Sequence, residues 1–321
     1  MSHKENHKET ILIIGAAGGL SNILCGLLGQ HSPESKIIGV DSRDLSSDVE
    51  NKNFSFKKMR YTRGNFEKLF RENEFDVIYH LGRMSHSKNT SASEIAQRLS
   101  LNLMGTNKIL ELSIRYKVKK VIVLSTHHVY GALPDNPVFI KEDAGLKASI
   151  KYPELRDVTE MDSLCTNWMW KYRDQMDMVV LRPCNIIGPQ INNSISQYLR
   201  TNLVPAPIDF NPIFQFIHEL DMAKVLMHSK DKVPTGVYNV APNETISLHE
   251  AKKIVGTTTI PFPVFLLSPV ASVIKKLWAF PDYLIDYIKF SCIIDGKQLM
   301  THLPEEPFRF KTTKSLKLLK L

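Results

Sequence analysis

Cysteine is scarce and scattered in this chain. Cys25, Cys165, Cys184 and Cys292 are the only four in 321 residues, and none forms a C-x-x-C pair. That spacing argues against a disulfide framework and a paired-cysteine zinc site, and it points to a reducing, cytoplasmic setting. A P-loop, an H-E-x-x-H helix and a G-x-S-x-G nucleophile elbow are also absent. With them go the commonest sequence signs of phosphoryl transfer, zinc hydrolysis and serine esterase chemistry, and no metal is expected. No basic n-region ends in a clean cleavage site, so a secretory signal is not expected.

Long uncharged runs are few, and both are interrupted. Ile11–Gly29 is long enough to span a bilayer, but Gly15, Gly18, Gly19, Gly26 and Gly29, with polar Ser21–Asn22, suit a strand, a turn and a helix. Ile254–Ile274 holds three threonines and Pro261, Pro263 and Pro269, which break a spanning helix. It reads as a loop and then a helix. Peripheral membrane contact by Phe262–Phe280, with Lys275 and Lys276 at the headgroups, is a minor alternative.

Acidic residues are the lesser charge. Lysine and arginine number 41 against 33 aspartates and glutamates, a net charge of +8. This admits anionic partners, but most of the excess is scattered and reads as a solvated surface. Aromatic residues interleaved with Lys/Arg are not evident, so nucleic acid is not favoured. The hydrophobic share of 43% suffices for a real core.

What is present is organised around Ile11–Ser21, ILIIGAAGGLS. Four apolar residues run into a glycine turn and then into an apolar segment, Leu20–Leu28, expected to stop at Gly29. Such a strand–turn–helix aims backbone N–H groups at a phosphate. Lys36–Val40 is a second strand ending at Asp41, about 20 residues after Ser21, where a dinucleotide fold places the ribose-binding carboxylate. A carboxylate there repels a 2′-phosphate, which favours NAD over NADP, although Arg43 stands two residues on.

Further strands are expected at Lys57–Tyr61, Phe75–Leu81, Val121–Leu124, Met178–Leu181 and Gly236–Val240. Helices are expected at Phe66–Asn73, Ser91–Tyr116, Asp157–Asp174 and Glu219–His228. The alternation implies βαβ units and an α/β, Rossmann-type doubly wound parallel sheet. Residues 1–190 would form the dinucleotide domain, with strands from about 213–240 returning to it. Residues 191–321 would form a smaller substrate-binding domain.

In order along the chain, GAAGGLS (15–21), GVD (39–41), RGNF (63–66), DVIYHLGR (76–83), LNLMGTNKIL (101–110), VIVLSTHHVYG (121–131), LRPCNIIGP (181–189), FIHELDMAK (216–224) and GVYNVA (236–241) resemble the motifs of the extended short-chain dehydrogenase/reductases, the NAD-dependent epimerases and dehydratases of nucleotide sugars. The resemblance implies hydride transfer at a nucleotide sugar or related hydroxyl substrate. It implies a cofactor site of Gly15, Ala17, Gly18, Gly19, Leu20, Asp41, Asn65, Phe66, Leu81, Gly82, Arg83 and Pro183, with Asn185 toward substrate. Many relatives dimerise through two long helices, here 91–116 and 157–174, so a homodimer is admitted.

One part of the pattern fails. The family's Y-x-x-x-K acid/base pair is missing between Tyr130 and Arg182, and the nearest substitute is Tyr152–Arg156. Thr126 matches the residue that hydrogen-bonds the reacting oxygen. His127 and His128 replace the Asp-Glu pair of dehydratases and offer imidazoles of near-neutral pKa. On a strand, adjacent side chains point to opposite faces, so at most one would meet substrate. The competing reading is a catalytically decayed NAD-binding scaffold or redox sensor.

Overall fold

Unbroken apolar runs, buried on both faces, make the central layer. The computed structural model describes residues 8–45, 49, 51–82, 92–263, 282–304 and 306–319. Strands β1 (Thr10–Ile14), β2 (Lys36–Asp41), β3 (Phe54–Lys58), β4 (Val77–His80), β5 (Lys120–Leu124) and β6 (Asp177–Pro183) join a late strand, Gly236–Val240, in one seven-stranded sheet. Its order is Gly236–Val240, β6, β5, β4, β1, β2, β3, and every pairing is parallel. Parallel sheets are covered on both faces, so their strands read as unbroken apolar runs.

The two faces separate residue by residue. Ile11 and Ile13 pack toward helices α1 (Gly19–His31) and α8 (Glu219–Asp231), through Leu20, Leu24, Met222 and Leu226. Leu12 and Ile14 pack toward α2 (Arg63–Glu72), α4 (Gly105–Arg115) and α6 (Arg156–Lys171), through Phe66, Leu69, Ile109, Met161 and Cys165. A third cluster holds Ile187, Tyr198, Val204, Phe216, Leu248 and Leu316 around three two-stranded pairings. Of the returning segment, Gly236–Val240 joins the main sheet, whereas Phe216–His218 pairs with Asn185–Ile187.

Several boundaries differ from expectation. Helix α1 runs through Gly29 to His31, and a Cβ at Gly29 would stand 2.5 Å from the Asn51 amide nitrogen. That glycine serves close packing, not termination. The third strand lies three residues earlier than expected, at Phe54–Lys58. The long crossover is not one regular helix: α3 (Ala92–Leu99) passes through a π-helical turn, Ser100–Met104, into α4. The wide turn carries buried Asn102, whose amide donates to Asp157 Oδ2 at 2.6 Å.

The interior also holds ion-paired polar groups. Arg182, on β6, donates to Asp162 on α6 through Nε at 3.0 Å and Nη2 at 2.6 Å. Its Nη1 donates to Tyr130 Oη at 2.8 Å and to the Glu142 carbonyl at 2.9 Å. Tyr130 Oη in turn donates to Asn239 Oδ1 at 2.8 Å, and Ser125 Oγ donates to Asp162. Arg182→Met should therefore cost about 3–5 kcal/mol, because it strands a buried carboxylate. Urea unfolding measures it, and a loss under about 1 kcal/mol, typical of a solvated pair, would contradict the burial.

His80, at the end of β4, is fully enclosed and its Nε2 lies 2.7 Å from Thr106 Oγ1 on α4. Burial lowers its pKa from 6.5 to about 4. The unfolded chain therefore takes up a proton below pH 6.5 that the folded chain refuses. This contribution is complete above 6.5 and is lost as the pH falls toward 4, with a slope up to about 1.4 kcal/mol per pH unit. Removing the imidazole in His80→Gln should flatten the stability–pH profile across that window by about one proton.

Candidate functional site

At the carboxyl edge of the sheet, register places the ends of β1, β2 and β4 side by side. Ile14 pairs with Val40 and with His80, so Gly15, Asp41 and Leu81–Gly82 follow as neighbours. Gly15 has φ +92°, and a Cβ there would stand 2.5 Å from Gly82 Cα and Gly82 N. Only glycine fits both the backbone and the gap. Leu81 N donates to the Ile14 carbonyl at 2.9 Å, which holds the two strand ends together.

The first helix then begins with its N-terminus open. Gly18 is the N-cap and contributes no side-chain acceptor, and no acidic residue occupies the first turn of α1. Its first N–H groups and the positive end of the dipole are left for an anion. Ser21, in the first turn of α1, is buried and donates to the Gly15 carbonyl at 2.7 Å. The hydroxyl closes the loop. Leu20 is buried in the core, and a Cβ at Gly19 would stand 2.5 Å from the Gln190 carbonyl oxygen. Gln190 is thus a neighbour of the loop that the sequence does not single out.

Asp41 is buried, and both carboxylate oxygens are engaged. Oδ2 accepts from Ala17 N at 3.1 Å and Arg43 Nη2 at 3.2 Å; Oδ1 accepts from Arg43 N at 2.9 Å and Arg43 Nε at 3.2 Å. Burial raises its pKa, but the hydrogen bonds from Arg43 and Ala17 outweigh it and hold the carboxyl below the ordinary range. The carboxylate is ionised and ties the glycine loop to β2. Tyr61 closes the same corner: its hydroxyl donates to the Val40 carbonyl at 3.4 Å, beside Gly82. Its place just beyond β3 is the only signal that could have found it.

Asn65 and Phe66 both make contacts within the chain. Asn65 Nδ2 donates to the Arg60 carbonyl at 2.9 Å, and Asn65 N donates to the α2 cap, Thr62 Oγ1. Phe66 is a core residue packed on Tyr61, ring centroids 5.7 Å apart. Arg83 lies outside the described residues.

After β5, Thr126 is extended and caps a 3-10 turn, His127–Tyr130, by accepting from His128 N at 3.3 Å. The turn replaces the expected strand alternation. Consequently both imidazoles lie together, ring centroids 4.2 Å apart. His127 Nδ1 is 3.0 Å from the Pro183 carbonyl. A carbonyl only accepts, so the contact assigns the Nδ1–H tautomer and puts the lone pair on Nε2. The ring of Tyr287 stands edge-on to His128 at 4.7 Å, and its hydroxyl donates to the His128 carbonyl at 3.3 Å. Asn185, buried, donates to the Gln215 carbonyl at 3.2 Å.

The expected Tyr152–Arg156 pair does not form. Tyr152 is buried, and its hydroxyl lies 2.8 Å from Asp286 Oδ2 and 3.1 Å from the Ala132 carbonyl. Burial, then the hydrogen bond to the Asp286 carboxylate, push the phenol well above its ordinary pKa. Arg156 instead pairs with Glu160 on its own helix. Lys151 reaches the same Asp286 Oδ2 at 2.7 Å. A phenol held protonated in this way is the opposite of a lysine-activated base. Asp286, Lys151, Tyr283 and Tyr287 were not foreseen.

Comparison with known proteins agrees with this geometry. The model of the NAD dependent epimerase/dehydratase family matches residues 11–241. An uncharacterised protein of Mycobacterium tuberculosis is 25% identical over 267 residues, 82% of this chain and 70% of its own. The UDP-glucose 4-epimerase of Thermotoga maritima, solved with UDP-glucose, superposes with a TM-score of 0.73 at 19% identity over 97% of each chain. The dTDP-glucose 4,6-dehydratase of Bacillus anthracis, solved with NAD, does so at 0.73 and 18% identity, over 96% of this chain and 94% of its own. At such identities the structural likeness is one of fold.

Gly15→Ala tests the loop directly. A non-glycine residue at this φ costs about 1–3 kcal/mol, and the clash with Gly82 adds to it. The substitution should lower the denaturation midpoint and abolish measurable dinucleotide binding by calorimetry, while Gly26→Ala, where a Cβ meets nothing within 4 Å, should do neither.

Proposed function

Because this chain belongs to the NAD-dependent epimerase/dehydratase family, we propose that it binds NAD at the Gly15–Asp41–Gly82 edge and acts on a hydroxyl carbon of a nucleotide sugar. The observation that carries this reading is the convergence of that edge with the Thr126–His128 turn. Relatives described as acting on or holding UDP- and dTDP-sugars support the substrate class. The residues present fit the cofactor. The glycine gap admits close approach, the uncapped α1 N-terminus suits a pyrophosphate, and ionised Asp41 suits ribose hydroxyls in exchange for its Arg43 side-chain hydrogen bonds and disfavours a 2′-phosphate.

When bound, NAD supplies the hydride acceptor. Within the chain, Thr126 Oγ1 accepts from His128 N, so its own proton is left to hold the substrate oxygen. His127 Nε2 is the proton acceptor in this scheme, its ring oriented by the Pro183 carbonyl. Tyr152 and Arg156 keep their structural roles. A second reading, a dinucleotide-binding scaffold without turnover, is favoured by the Tyr152–Asp286 hydrogen bond.

Three measurements separate these. Calorimetry should show NAD binding that weakens in Asp41→Ala. With UDP- and dTDP-hexose mixtures, NADH fluorescence or product formation should fall about 10²–10⁴-fold in His127→Gln. Tyr152→Phe should leave kcat nearly unchanged. Absence of NAD binding would falsify the cofactor reading, and lost turnover in Tyr152→Phe with retained NAD affinity would return the base to the phenol. Binding without turnover on any sugar nucleotide would establish the scaffold.

A further inference from the structure

A carboxylate offers about four acceptor sites, and at Asp41 four hydrogen bonds fill them. Two come from backbone groups fixed by the chain, Ala17 N to Oδ2 at 3.1 Å and Arg43 N to Oδ1 at 2.9 Å. The other two come from one side chain, Arg43 Nε to Oδ1 and Arg43 Nη2 to Oδ2, both at 3.2 Å. Ribose hydroxyls can reach this carboxylate only where the guanidinium withdraws.

The two partners differ sharply in exposure. The Asp41 side chain is 3% exposed and that of Arg43 67%. A ligand arriving at the end of β2 therefore meets the guanidinium before the carboxylate. A guanidinium carries five N–H donors, and among the described residues only Nε and Nη2 of Arg43 have side-chain partners, one bond each. Both N–H groups of Nη1 and the second of Nη2 are left over. They form the flat donor fork that suits phosphate oxygens.

The rest of the corner does not restore a negative field. Asp44, the next acid along the chain, pairs with Lys58 Nζ at 2.7 Å, and Lys58 lies opposite Asp41 in the β2–β3 register. The Tyr61 phenol is neutral, since burial and then the Asp41 charge raise its pKa.

Resting on the dinucleotide reading of this edge, we propose that Arg43 decides the choice between NAD and NADP. With NAD, the ribose hydroxyls and the guanidinium compete for the same two acceptor sites, so Arg43 weakens binding. With NADP, the 2′-phosphate accepts from the spare N–H groups while the guanidinium stays on Asp41. The repulsion that Asp41 alone exerts on that phosphate is thereby offset. One side chain thus acts with opposite sign on two ligands that differ by a phosphate.

Calorimetry on the full chain with NAD and NADP tests this without any turnover. In the parent the two dissociation constants should lie within about tenfold of each other. Arg43→Ala should tighten NAD about 3–10-fold and weaken NADP about tenfold or more, through loss of charge-assisted hydrogen bonds. Arg43→Lys keeps a cation but not the fork, so NAD should tighten as in the alanine variant while NADP falls less. NADP binding by the parent should also weaken more steeply with added salt than NAD binding. The proposal is overturned, with NAD binding intact, if Arg43→Ala moves both affinities in the same direction, which makes Arg43 a brace for the loop. It is equally overturned if both stay within about twofold of the parent, or if the parent excludes NADP by more than about a thousandfold. Arg43→Ala uncovers a buried carboxylate; should it unfold, Arg43→Lys decides, and unchanged NAD affinity there overturns the proposal. A parent that binds neither dinucleotide rejects the cofactor reading itself, and this proposal with it.

Discussion

The ion pair between Arg182 and Asp162 is the constraint on which the functional edge depends. Two charges this deeply buried are tolerated only if nearly every donor and acceptor is matched. The chain meets the condition by drawing five segments to one point. Asp162 comes from α6, Ser125 from the end of β5, Arg182 from β6, Tyr130 from the histidine turn and Asn239 from the last strand of the sheet. Asn239 also donates through Nδ2 to the Ile140 carbonyl at 2.9 Å, which draws in the following loop. Thr126, His127 and His128 lie between Ser125 and Tyr130, both members of this network. Their geometry is therefore fixed at both ends by groups that cannot move without uncovering a charge.

This explains how much was legible in the sequence. The motifs that carried the family resemblance are largely the segments the network joins: LSTHHVYG holds Ser125 and Tyr130, LRPCN holds Arg182, and GVYN holds Asn239. Strands were legible because both-face burial demands continuous apolar runs such as ILII and VIVL. Asp162 was not, since an acid inside an amphipathic helix looks like any surface carboxylate until its partner is placed. Gly29 misled for a related reason. Its lack of a side chain serves Asn51, whose amide also donates to the Cys25 carbonyl at 2.9 Å, and neither fact is visible in local sequence.

Tyr152 shows where the sequence runs out. A tyrosine four residues before an arginine invites an acid/base pairing, because the two could share a helical face. The partner that decides the phenol's chemistry is Asp286, 134 residues away. A cation beside the phenol would favour its ionised form; a carboxylate beside it favours the proton. Spacing within one element cannot reveal which of these a distant segment will bring.

Thr126 caps the chain after β5 and is also the proposed donor to substrate. The two roles do not compete. A hydroxyl has one proton and two lone pairs. The cap uses a lone pair, since His128 N–H donates to Thr126 Oγ1. It also creates the 3-10 turn that turns both imidazoles to one side, an arrangement strand geometry would forbid. In the proposed function the hydroxyl proton is then the group left for a substrate oxygen, while the Pro183 carbonyl assigns the lone pair of His127 to Nε2. The structural bond and the proposed chemical role draw on different parts of one side chain. For this reason Thr126→Val and Thr126→Ser are not equivalent replacements: valine removes both, whereas serine keeps the cap acceptor and the proton together.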